Sequence, residues 1–141
     1  MTLMFLNGTA MYGQKDHRCH QGSTFLGPAR TTAAYRFFAV RDEFPGLLPV
    51  ATGGRCIDGE LYDMPDPVLR DQLLPAEPAE LELGTIRLVD GEEVHAMILR
   101  PERLIAGDLV VDISELGGFR AYQRHIEANR RLGSVLGRSE W

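Results

Sequence analysis

Residues 5–13 read Phe5-Leu6-Asn7-Gly8-Thr9-Ala10-Met11-Tyr12-Gly13, and the rest of the chain is arranged around them. Leu3, Met4, Phe5 and Leu6 make an apolar run of strand length, which Asn7-Gly8 breaks. Gly8 and Gly13 let the backbone approach a partner that side chains would keep away. A loop leaving a buried strand can aim consecutive N–H groups at an anion such as a carboxylate. Asn-Gly is equally the mark of a plain tight turn, and on these residues alone the turn is the simpler account.

Working outward, Gln14 to Ser23 is polar and forms a short surface helix or a loop. Thr24-Phe25-Leu26-Gly27-Pro28-Ala29-Arg30-Thr31 reads as a short strand that Pro28 places at an edge or bulge, and Tyr35-Arg36-Phe37-Phe38-Ala39-Val40 as an aromatic-rich one. Glu43-Phe44-Pro45-Gly46-Leu47-Leu48-Pro49 holds buried-type residues between prolines and is expected as a rigid, packed loop. Arg55 to Asp63 is a further strand, in which Gly59 marks a bulge or a close contact across the face. Asp66 is expected to cap a helix with Pro67 at its first position, and Pro75 to stop it. Pro75 to Glu82 is an irregular acidic connector.

The clearest local signal is Gly84 to Val89, then Asp90-Gly91, then Glu93 to Leu99: an Asp-Gly pair between alternating β-branched segments predicts a hairpin. Gly118 to Leu132 sets Phe119, Tyr122 and Ile126 on one face of an amphipathic helix, which Gly133 is expected to end. Strands outnumber helices and there is no repeat or linker composition. The expectation is therefore a single α+β domain over residues 1–141 with a curved or closed sheet.

At 141 residues the chain can bury a core without staples. Its 15 Lys+Arg against 20 Asp+Glu give a formal charge of -5, which supplies no basic field for nucleic acid. Cys19 and Cys56 form neither a metal-type pair nor a disulfide framework, so a reduced, cytoplasmic setting is expected. No run approaches the roughly 20 apolar residues of a membrane helix, and no membrane partner is expected.

Asp16, His17, Cys19 and His20 offer metal-ligating atoms close together, but Cys56, His95 and His125 supply no second pair. Incidental surface side chains are the better account, and neither a metal nor another cofactor is expected. Glu77, between Ala76 and Pro78, sits on stiff backbone where a carboxylate can be presented into a pocket; partial burial would raise its pKa and suit it to proton transfer. Glu77, Glu80 and Glu82 read equally well as a solvated acidic face.

Taken together, these segments resemble the gamma-glutamylcyclotransferase-like (AIG2-like) superfamily. Residues 5–13 resemble its opening strand and loop, usually Tyr-Gly-Ser/Thr-Leu, and Leu73-Leu74-Pro75-Ala76-Glu77-Pro78 its Leu-Asp-x-x-Glu-Gly. Between them Phe25 to Thr31, Tyr35-Arg36, Phe44 to Pro49 and Gly59-Glu60-Leu61-Tyr62 follow in the family's order. Leu81 to Gly91, Gly107-Asp108, Asp112-Ile113 and Gly117 to Tyr122 are similar to closing segments of the allophanate hydrolase C-terminal domain and its stand-alone relatives. The resemblance implies a small mixed β-barrel over about residues 1–100, with flanking helices and a C-terminal helical segment over about 112–133.

By the same resemblance Asn7, Gly8, Thr9, Ala10 and Met11 form the substrate-binding loop and Glu77 is the acid/base. Asn7 stands where the superfamily has tyrosine, and Pro78 where its glycine follows the glutamate. Two readings follow. One is an enzyme in which Glu77 moves a proton on a small γ-glutamyl or urea-derived carboxylated compound. The other is a non-catalytic ligand-binding or assembly domain that partners an amidase, with a homodimer as a further possible assembly.

Overall fold

The parallel and antiparallel neighbours of one strand, Glu93–Leu99, decide where the fold opens. The computed structural model describes residues 2–14, 17, 21–41, 43–101 and 110–136, with side chains as far as 129. In chain order the elements are β1 (Thr2–Leu6), β2 (Thr24–Arg30), β3 (Tyr35–Val40), β4 (Phe44–Pro49), β5 (Asp58–Met64), α1 (Asp66–Val68), a π-helical turn (Leu69–Leu73) and α2 (Leu74–Ala76). They continue with β6 (Leu81–Arg87), β7 (Glu93–Leu99), β8 (Val110–Asp112), a 3-10 turn (Ser114–Leu116) and α3 (Phe119–Leu136). The class is α+β.

One mixed sheet runs β2-β5-β1-β7-β4-β3-β8, with β6 attached to β7. β6 pairs with β7 along its whole length, from Leu81↔Leu99 to Arg87↔Glu93, and so occupies one edge of it. The other edge is shared: β1 runs parallel at Met4↔His95 and Phe5↔Ala96, and β4 takes over, also parallel, at Leu47↔Ile98. β1 and β4 part company beside Met97.

The sheet curls in the manner of the small mixed β-barrel that the resemblance implies, but among the described residues it does not close: its path ends at β2 and at β8. A bridge between Thr31 and Leu88, with Val89 N–H on Arg30 O at 3.0 Å and Thr32 N–H on Arg87 O at 3.0 Å, curls the end of β2 back toward β6. One bridge is too little to complete a ladder, so the sheet is curled and open.

The Asp90-Gly91 hairpin forms, with Gly91 at φ 91° and Asp90 Oδ1 accepting Glu92 N–H at 2.9 Å. Residues 44–49, expected as a loop, are strand β4 paired with β3 from Val40↔Phe44 to Tyr35↔Pro49. The register pair of β4 with β7, Leu47↔Ile98, includes neither Pro45 nor Pro49, so no donor is missing at that pair. The bulge lies in β2, between Phe25 and Gly27, while Gly59 makes the alternative close contact, beneath the Phe5 ring.

Asp66 is the first residue of α1 rather than its cap, which is Pro65. Pro75 does not stop the helix. The π-turn carries Leu74 N–H to Leu69 O, five residues back, and this wider turn relieves the clash a proline ring makes in a regular helix. Gly133 lies inside α3, which runs on to Leu136. Phe119 and Tyr122 are buried and Ile126 packs against the core, so this face docks on the sheet. The expected surface element around Asp16, Cys19 and His20 and the Gly107-Asp108 motif lie outside the described residues.

At the far end of the sheet Ser114 Oγ accepts Phe37 N–H at 2.7 Å and lies 2.6 Å from Asp112 Oδ1, whose other oxygen takes Arg36 at 2.7 Å. Burial works to raise the Asp112 pKa, but the Ser114 and Arg36 hydrogen bonds outweigh it and hold the carboxyl below its ordinary 3.8. A depressed folded-state pKa gives stability that is present above the unfolded value and lost as pH falls through the folded one. Thermal melts across pH are expected to show a smaller acid loss below about pH 3.8 in Asp112→Asn than in wild type. Parallel curves would remove Asp112 from the acid response.

Candidate functional site

The gap that β1 and β4 leave beside Met97 is the candidate site. Leu6 ends β1, and the chain leaves through Asn7-Gly8 into a turn in which Met11 N–H donates to Gly8 O at 3.1 Å. A side chain at Gly8 would meet the Pro45 ring, with a Cβ only 2.6 Å from Pro45 Cδ, so only glycine lets the loop lie against β4. Asn7, Gly8, Thr9 and Ala10 then line a cavity of about 30 Å³ with Phe5, Leu6, Phe44, Pro45, Leu81, Met97 and Glu77. The loop and the glutamate, 70 residues apart, share one cavity.

Glu77 follows α2 in an extended conformation, φ −78° and ψ 146°. Its position before Pro78 favours this conformation and ends the helix at the residue that faces the cavity. The half-buried Glu77 is followed by a connector fixed at several points: Arg100 donates to Ala79 O at 2.9 Å and to Glu82 at 3.3 Å, and Arg41 donates to the Glu80 carboxylate at 2.8 Å. These bonds hold Glu77 on a stiff segment, as its place between prolines suggested.

Asn7 is 8% exposed, and among the described residues its Nδ2 has no hydrogen-bond partner. A buried donor left unsatisfied costs about 1–3 kcal/mol, a cost that an acceptor on a bound molecule would remove. Met11 is placed differently from the other four loop residues. Its N–H is used within the loop, its side chain is 2% exposed, and it lines a second, wider cleft of about 440 Å³ against α3.

Sequence reasoning gave no role to Glu60, although the signal was present: an acidic residue in step with Tyr62 and Met64 on the buried face of β5. Its Oε1 accepts Tyr12 N–H at 2.7 Å and Tyr62 O–H at 3.0 Å. Burial first, and then this bond to Glu60, push the Tyr62 hydroxyl far above its ordinary range, so it remains a donor. His17 packs edge-on to Tyr12 with ring centroids 5.2 Å apart. Among the described residues no three His, Cys, Asp or Glu side chains gather where a metal ion could be held, and no helix is long and apolar enough to cross a membrane.

The fold is a curled α+β sheet whose first strand opens into a glycine loop that lines one cavity with a glutamate. The AIG2-like protein of Mus musculus shares the fold at a TM-score of 0.55 and 22% identity, over 74% of this chain and 82% of that one. The sequence profile of the allophanate hydrolase C-terminal domain matches residues 2–124, and the chain belongs to that family. It is 36% identical to c4763, a uropathogenic E. coli-specific protein, at a TM-score of 0.81 over 88% of this chain and 96% of that one. The allophanate hydrolase of Kluyveromyces lactis matches at 28% identity and a TM-score of 0.81, over 89% of this chain and 21% of that one. The urea amidolyase of Saccharomyces cerevisiae is 30% identical over 105 residues, 71% of this chain but 6% of that protein.

Proposed function

We propose that the cavity between residues 7–10 and Glu77 binds one end of a small, urea-derived carboxylated compound, and that Glu77 moves a proton on it. The observation that carries this reading is the shared cavity: loop and glutamate line it together, and the buried Asn7 Nδ2 beside them has no acceptor among the described residues. The loop donors hold a carbonyl oxygen while the Glu77 carboxylate takes a proton from an attacking water and returns it to the nitrogen as the C–N bond breaks, so that ammonia leaves and the new carboxyl group keeps the water's oxygen. The names of the urea amidolyase and allophanate hydrolase relatives support a urea-derived compound over a γ-glutamyl one.

The test is a substrate panel on the full chain. Allophanate is expected to be turned over, read as released ammonia or carbon dioxide, while γ-glutamyl peptides and γ-glutamylamines yield no 5-oxoproline. The reverse pattern would overturn the reading.

A second reading, a non-catalytic partner of an amidase, is favoured by one observation: the matching segment is only 21% of the K. lactis allophanate hydrolase chain. It predicts that the chain alone is silent toward allophanate. Added in trans, it would raise turnover by an allophanate hydrolase lacking its own C-terminal domain, equally well as wild type and as Glu77→Gln.

A further inference from the structure

We propose that Glu60 and Arg120 are positioning residues that hold the 7–13 loop in its cavity-forming conformation, Glu60 from β5 and Arg120 from the first turn of α3. The value of this clamp to catalysis rests on the reading of the cavity given above; the clamp itself is a separate claim about the loop.

Three donors converge on one buried carboxylate. Glu60 is 8% exposed; its Oε1 takes the Tyr12 N–H and the Tyr62 O–H, and its Oε2 lies 3.3 Å from Arg120 Nη1. Arg120 holds the same residue through the next peptide unit, donating through Nη2 to Tyr12 O, while Nη1 lies 3.3 Å from Met11 Sδ. Tyr12 is therefore held at both its N–H and its carbonyl, by groups on two different elements.

Both tethers act at the exit of the loop, and β1 anchors its entry. Ala10 and Met11 are buried in the core, but Tyr12 itself is 66% exposed, so at the exit of the loop the polar clamp supplies a hold that burial of its side chain does not. A carboxylate suits this place because it only accepts. Glutamine in either flip turns an NH₂ toward at least one of the three donors. Lysine at 120 keeps the charge facing Glu60 but cannot fork to two acceptors.

Hydrogen exchange read by mass spectrometry on the full chain tests the clamp, with thermal melts and allophanate kinetics on the same samples. In Glu60→Gln and in Arg120→Ala, a peptide covering residues 8–13 is expected to exchange about tenfold faster, the loss of roughly one hydrogen bond. Peptides from the β6–β7 hairpin should exchange as in wild type. KM for allophanate should rise more than kcat falls, and Arg120→Lys should restore part of the protection. If Glu60→Gln fails to fold, Arg120→Ala carries the test, since that side chain is 41% exposed.

Unchanged exchange over 8–13 in Arg120→Ala would overturn the proposal. Faster exchange in a protein whose wild type neither binds nor turns over allophanate would uphold the clamp and refute the substrate assigned to the cavity.

Discussion

Glu77→Gln is expected to lower allophanate turnover by about 10²- to 10⁴-fold, the usual contribution of a positioned general acid or base. The side chain is half-buried at a cavity wall and its backbone is fixed by the Arg100 and Arg41 contacts, so the amide can occupy the same place without moving the connector. Binding should survive, because the loop donors are untouched: KM stays within a few-fold while kcat falls. The melting temperature should move little, because the substitution keeps the volume. A Glu77→Gln protein as active as wild type would remove proton transfer from the site and leave the amidase-partner reading in its place.

The sequence made some of this legible, and physical causes explain what it hid. The Asp90-Gly91 hairpin is fixed by two adjacent residues, and a local signal was enough. Strand β4 was concealed because Pro45 and Pro49 read as loop punctuation; only the sheet shows that both lie clear of the β7 register pair. The helix through Pro75 was concealed by a π-turn, which propensity rules for proline do not anticipate.

Asn7 to Ala10 and Glu77 were singled out because ordered segments along the chain resemble one family, and the cavity that they line lies at the split of β7 between β1 and β4. Met11 was grouped with them by the same resemblance, yet it lines the wider cleft against α3. Glu60 and Arg120 were invisible for a related reason. Tyr12 meets Glu60 across 48 residues and Arg120 across 108, and no period in the sequence reports such a meeting. The one hint was a charge on a buried strand face.

Gly59→Ala is expected to be strongly destabilising, and the reason joins the fold to the site. A Cβ at 59 would lie 2.5 Å from Phe5 Cζ and 2.6 Å from Leu6 O. Phe5 is buried, and the Leu6 carbonyl belongs to a strand paired with β5 at Leu6↔Glu60, so neither can retreat without parting β1 from β5. Overpacking against such fixed partners costs about 3 kcal/mol, which for a chain of this size lowers the melting temperature by roughly 6–12 °C.

Gly53→Ala is the control. It has open space around its Cβ and φ 76°, so it tests backbone strain without a clash, at about 1 kcal/mol. Equal melting temperatures for the two variants would show that Phe5 and Leu6 do not depend on a bare backbone at 59. If β1 is displaced instead, Gly59→Ala moves Leu6 and Glu60 together. These are the start of the loop and the carboxylate that holds its exit, so KM for allophanate should rise even at temperatures where the protein remains folded.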